Sequence, residues 1–195
     1  MGCVTVDREM RLETRINLQD AQNILQKYIP ETNTAIIGIA PGATYGPAKR
    51  WLPDRFAAVA DKLSETFPMQ GILFGSKADW DVAEEVRVAA RTKLINLAGK
   101  TNLQEAIYLI SQSGLFISND SGLMHIAGAL NIPTVAIFGS TNPVTTSPAG
   151  NKTIIVHSNV SCSPCLEETC PTDFSCMKLI SVEDVFEAAQ NILNS

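Results

Sequence analysis

Four segments of this 195-residue chain combine residue types suited to an anionic ligand. The first is Pro41-Gly42-Ala43-Thr44-Tyr45-Gly46-Pro47-Ala48-Lys49-Arg50-Trp51, which sets two adjacent cations behind glycines and prolines. Glycine lets a bulky anion approach the backbone, and lysine supplies a compact charge for phosphate. A solvated loop whose Lys49 and Arg50 serve solubility fits the same residues. The segment lacks the Gly-Lys-Ser/Thr ending of a P-loop and the G-x-G-x-x-G of a dinucleotide fingerprint. The second is Phe74-Gly75-Ser76-Lys77-Ala78-Asp79. An acid at that point would accept from ribose hydroxyls or cap a helix.

The third is Ser118-Asn119-Asp120-Ser121-Gly122-Leu123-Met124-His125. An apolar run passes straight into Asp-Ser-Gly and a helix, whose first N–H groups lack internal partners and attract phosphate. Gly122 keeps the approach open, Asp120 or Ser121 caps, and His125 follows within about a turn. The fourth, Phe138-Gly139-Ser140-Thr141-Asn142-Pro143, offers small hydroxyls that suit a sugar, a phosphate or an ordinary turn.

The elements that must position these segments alternate. Apolar runs of strand length lie at 35–40, 71–74, 94–97, 115–118, 134–138 and 153–156. Helical spacing marks 18–28, 53–67, 79–91, 103–110, 122–130 and 182–193. Asn102 or Thr101 caps the fourth helix, and Ser181 with Asp184 forms a capping box before the last. This alternation predicts an α/β fold, a Rossmann-like doubly wound parallel sheet with helices on both faces. Such sheets bind ligands beyond the carboxyl ends of their strands, where all four segments lie. Residues 1–17 read as an extended lead-in, with Val4, Val6, Leu12 and Ile16 as scattered contacts.

Composition narrows the classes. With 15 Lys+Arg against 20 Asp+Glu, the net charge is −5, which argues against a nucleic-acid binder. No run approaches the roughly 18 apolar residues of a membrane span. The charged start lacks the apolar stretch of an export signal, so a cytoplasmic location is expected. Of five cysteines, Cys162, Cys165, Cys170 and Cys176 lie close together and Cys3 stands apart. The spacing C-x2-C-x4-C-x5-C leaves three states open: free thiols, four soft ligands for Zn or an iron–sulfur cluster, or a disulfide.

These motifs, in this order, together with Ala98-Gly99-Lys100-Thr101, resemble the ADP-heptose:lipopolysaccharide heptosyltransferases. Those are glycosyltransferases of family 9 with the GT-B architecture of two Rossmann-like domains. The cysteine segment resembles the heptosyltransferase II branch. The resemblance runs from about residue 10 to the end and is most specific at Asp-Ser-Gly-Leu-Met-His. It implies that residues 1–30 are an interdomain linker remnant and lead-in helix, and that 31–195 are the nucleotide-sugar donor domain, the C-terminal half of a GT-B enzyme. The acceptor domain, with the general base and the lipopolysaccharide core site, is then expected outside this chain. The resemblance assigns Lys49 to the diphosphate and the leaving group, and Thr44 or Tyr45 to the same pocket. It assigns Asp79 to the ribose and Thr101 to the adenine. Asp120, Ser121, Gly122 and Leu123 go to the phosphates, and His125 to the sugar or diphosphate. The implied reaction is inverting and metal-independent, uses no cofactor, and works at the inner face of the inner membrane. A free-standing ADP-sugar-binding module and a GT-B transferase using another nucleotide sugar are the other readings.

Overall fold

The computed structural model describes residues 11–14, 16–30 and 34–194. Cys3, Val4 and Val6 lie outside the described residues. The chain opens with α1 (Leu18–Tyr28), capped by the Asn17 side chain, and enters the sheet at β1 (Ala35–Ala40). There follow α2 (Pro53–Thr66), β2 (Met69–Leu73), α3 (Trp80–Ala89), β3 (Leu94–Asn96) and α4 (Leu103–Ser111). Then come β4 (Ser113–Asn119), α5 (Gly122–Ala129), β5 (Thr134–Phe138), α6 (Pro143–Thr146), β6 (Thr153–His157), α7 (Ser175–Lys178) and α8 (Val182–Leu193). Each anticipated strand and long helix is present, with ends shifted by a few residues. The anticipated helix start at Asp79 is instead a 3-10 turn, Lys77–Asp79, that leads into α3. The short α6 and α7 carry no extended apolar period and were not anticipated.

The six strands are all parallel, in the order β3-β2-β1-β4-β5-β6. This is the doubly wound order, and it reverses between β1 and β4. Alternation along each strand splits the core in two. Ile37, Ile39, Leu115, Ile117, Val135 and Ile137 pack with residues of α2, α3 and α8. Ile36, Ala40, Ile72, Phe74 and Phe116 pack on the opposite face with residues of α1, α4 and α5. Gly38 permits this packing, because a Cβ there would lie 2.4 Å from the Phe116 ring. Capping follows the sequence signals: Asn102 with Glu105 starts α4, Ser121 starts α5, and Ser181 with Asp184 starts α8. Among the described residues, no helix is long and apolar enough to cross a membrane.

Candidate active site

The reversal in strand order brings the loop after β1 against the start of α5, although they are distant in sequence. Asn119, the last residue of β4, is fully buried and joins them. Its Nδ2 donates to the Pro41 carbonyl at 2.7 Å, and its Oδ1 accepts from the Trp51 amide at 3.0 Å. Both polar ends are thereby satisfied, as burial requires. The clamp fixes the two ends of the loop that carries Lys49. Trp51 anchors the exit: it packs edge-on against Phe56 and donates from Nε1 to the Ile180 carbonyl.

A cavity of about 370 Å³ opens at this point. Gly42, Thr44, Ser76, Asp79, Ser121 and Gly122 supply its polar side. Leu103, Ala106, Leu123, Ile126, Phe74 and Ala40 supply an apolar wall, with Thr101 and Asn102 at its edge. The size lies in the range of small-molecule sites, and an apolar wall with a few polar groups is their usual make-up. Gly122 faces free space, since a Cβ there would meet nothing within 4 Å. The N-terminus of α5 is therefore open to an anion. Gly42 is the reverse case: a Cβ there would lie 2.1 Å from Asp79 Oδ1.

Charges are held at both ends of this region. Lys49 Nζ lies 2.7 Å from Asp120 Oδ2, which also accepts from Thr141 Oγ1 at 2.7 Å. Both ionic side chains are nearly enclosed, 14% and 6% exposed. Asp79 Oδ2 accepts from the Ser76 amide at 2.9 Å and from its hydroxyl at 2.7 Å. Arg50 donates to the Ala43 carbonyl and places Nη2 3.9 Å from Asp79 Oδ1.

Residues 6–175 match glycosyltransferase family 9 (heptosyltransferase). The chain belongs to this family. It is 38% identical over 166 residues to lipooligosaccharide heptosyltransferase 2 of Campylobacter jejuni, covering 82% of this chain and 51% of that protein. It is 48% identical over 128 residues to the Haemophilus influenzae protein of the same name, covering 62% of this chain and 36% of that one. The solved structure of E. coli ADP-heptose lps heptosyltransferase II superimposes with a TM-score of 0.80 at 30% identity, over 92% of this chain and 53% of that one. The family 9 glycosyltransferase of Veillonella parvula gives 0.79 at 27% identity, over 95% and 54%. The chain thus spans about half the length of several of these relatives.

Within this family 9 domain, Thr44, Asp79, Thr101, Ser121, Gly122 and Leu123 line one cavity. Lys49 and Asp120 stand beside it as an ion pair, and Ser121 rather than Asp120 caps α5. His125 lies one turn into α5, half-buried and outside the cavity lining. Asn119 and Thr141 lie within the motifs at the ends of β4 and β5, but residue type and local spacing alone do not mark them as site residues. A polar residue ending a buried apolar strand was the available signal for Asn119. Ser140, next to Thr141, has a buried hydroxyl without a hydrogen-bond partner.

Cys162, Cys165, Cys170 and Cys176 are free thiols. Among the described residues, no three His, Cys, Asp or Glu side chains are grouped to hold a metal ion. Cys170 Sγ accepts from the Phe174 amide at 3.2 Å and lies 3.4 Å from the Thr172 hydroxyl. Hydrogen bonding from Thr172 first, and from Phe174 after it, lowers the Cys170 pKa. Burial raises that of Cys176.

Proposed function

We propose that this chain is the donor-binding half of a heptosyltransferase, holding ADP-heptose for transfer to the lipopolysaccharide inner core. The observation that carries this reading is the meeting of Lys49 with the open N-terminus of α5 at the strand-order reversal. There, an ammonium paired with Asp120 stands beside a cavity that Ser121 and Gly122 line. In this reading adenine lies against the apolar wall of Leu103, Ala106 and Ile126, with Thr101 at its edge. Asp79 takes ribose hydroxyls through Oδ1, its less committed oxygen. The diphosphate lies over Ser121 and Gly122, with Thr44 opposite. Lys49 leaves Asp120 for the phosphates, and His125 faces the sugar side.

The reaction is metal-independent, inverting substitution. An acceptor hydroxyl attacks the anomeric carbon from the face opposite ADP and gives its proton to a base. The bond from the anomeric carbon to the phosphate oxygen breaks, and its electron pair leaves with ADP. Negative charge grows on the departing diphosphate, where Lys49 and the α5 amides stabilise it. The acceptor site and the base belong, in this reading, to a second domain of the family architecture, working at the inner face of the inner membrane. Likeness to relatives whose names specify heptosyl transfer supports the substrate class.

Titration calorimetry tests the donor assignment. ADP is expected to bind and to outcompete UDP and GDP, and Lys49→Ala is expected to weaken it about 10- to 100-fold. Equal affinity for the three diphosphates, or an unchanged ADP affinity in the variant, would overturn it. Heptosyl transfer with and without an added acceptor domain tests the catalytic half.

A further inference from the structure

The cysteine-bearing stretch between β6 and α7 is fastened to the loop that carries Lys49 and to the loop after β5, whose Thr141 donates to Asp120. Tyr45 donates its hydroxyl hydrogen to the Leu166 carbonyl at 2.8 Å, and the Ala48 amide donates to the Glu168 carbonyl at 3.0 Å. On the other side, the Leu166 amide donates to the Ser140 carbonyl at 2.8 Å, and Ser163 Oγ donates to the Gly139 carbonyl at 2.6 Å. Leu166 has φ 61°, a left-handed conformation that a bulky residue keeps only under constraint. Its two backbone hydrogen bonds, one to each loop, supply that constraint. Gly46 marks a close approach, since a Cβ there would lie 2.3 Å from the Glu168 carbonyl oxygen.

The same Tyr45 sets its ring against the Lys49 ammonium, 4.8 Å from Nζ to the ring centroid. A lysine stem is flexible and its charge is a point. Here the ammonium is held between a ring face and the Asp120 carboxylate. The ring is fixed in turn by its hydroxyl on Leu166.

We propose that Tyr45 is a positioning residue of the anion site: suspended from Leu166, it aims the Lys49 ammonium at the diphosphate, and the cysteine segment is the brace behind it. The proposal rests on reading the cleft as a nucleoside-diphosphate site. Tyr45 touches no reacting atom and acts through Lys49, so its effect must vanish when the ammonium is gone.

A double-mutant cycle on ADP affinity tests this, with adenosine as the probe that lacks phosphate. Tyr45→Leu is expected to weaken ADP about tenfold. Adenosine is expected to change by less than about twofold, as for a site not coupled to the change. Tyr45→Phe, which keeps the ring and drops the bond to Leu166, falls between wild type and Tyr45→Leu. On a Lys49→Met background, Tyr45→Leu costs less than about twofold. An equal cost in both backgrounds, an equal loss of adenosine, or a Tyr45→Phe protein indistinguishable from wild type overturns the proposal alone. Wild-type protein that binds adenosine and ADP equally overturns the diphosphate reading, and the proposal with it.

Discussion

Asp79 and Asp120 are both buried carboxylates at the carboxyl end of the sheet, 6% exposed each, and each faces one cation of the Lys49-Arg50 pair. They are held in different ways. Asp79 is fixed by its own turn, through the amide and hydroxyl of Ser76 three residues back. Asp120 is fixed by Lys49 and Thr141, 71 and 21 residues away in sequence. A carboxylate held by its own turn keeps its orientation whatever enters the cleft. A carboxylate held by a lysine depends on where that ammonium points. One is a permanent acceptor, and the other, in the proposed reading, is a partner that phosphate would replace.

Removing the exchangeable cation should therefore have the largest effect. Lys49→Met leaves a nearly enclosed Asp120 without its charge partner and is expected to cost about 3 kcal/mol of stability, near the low end for a broken buried pair. Adding Asp120→Asn should restore most of that loss, because the uncompensated charge is then gone. Asp79→Asn should cost only about 1 kcal/mol, the size of a capping contact. Urea denaturation measures all three. Equal losses in Lys49→Met and Asp79→Asn would erase the distinction between the two carboxylates.

The sequence made one side of this contrast readable and hid the other. The Ser76–Asp79 contact spans three residues, so a cap and an acid in the right register show in the string itself. The strand runs, the Asp-Ser-Gly helix start and the capping boxes of α4 and α8 are local in the same sense. The Lys49–Asp120 pair and the Asn119 clamp exist only because β1 and β4 are neighbours, a fact of strand order that no local pattern carries. Alternation of elements predicts a parallel sheet, but it does not say which strand ends meet. Asp79 taught a related lesson. The sequence leaves cap and ligand open as alternatives, and in the structure its Oδ2 serves the turn while the residue also lines the cavity.

The glycines near the two carboxylates divide in the same way, with a middle-sized effect. Gly42→Ala would drive a Cβ to 2.1 Å from Asp79 Oδ1 and 2.3 Å from its Cγ. Asp79 cannot swing aside without giving up Ser76, so a cost of about 1–3 kcal/mol is expected, with loss of ADP binding. Gly122→Ala meets no atom and replaces a glycine at a helix start, so thermal unfolding should show equal or higher stability, by up to about 0.5 kcal/mol. In the proposed reading ADP affinity should nevertheless fall, because the added methyl would stand where phosphate approaches the amides. Unchanged ADP affinity in Gly122→Ala would move the phosphates away from α5.

The smallest expected effect separates the carboxylates most cleanly. Thr141→Val and Ser76→Ala each remove one hydroxyl that donates to an aspartate, and each should cost about 1 kcal/mol of stability. Their effects on ADP should differ. Without Thr141, Asp120 keeps Lys49 as its one partner on Oδ2 among the described residues and holds the ammonium more tightly. Turning the lysine toward phosphate then strands a buried carboxylate, so ADP should weaken about threefold. Without the Ser76 hydroxyl, Asp79 still accepts from the Ser76 amide and no cation has to move. ADP affinity should then stay within about twofold of wild type. If calorimetry finds the two variants equally impaired, the lysine is not exchanged between carboxylate and phosphate. Asp120 would then be a fixed wall of the site, as Asp79 is.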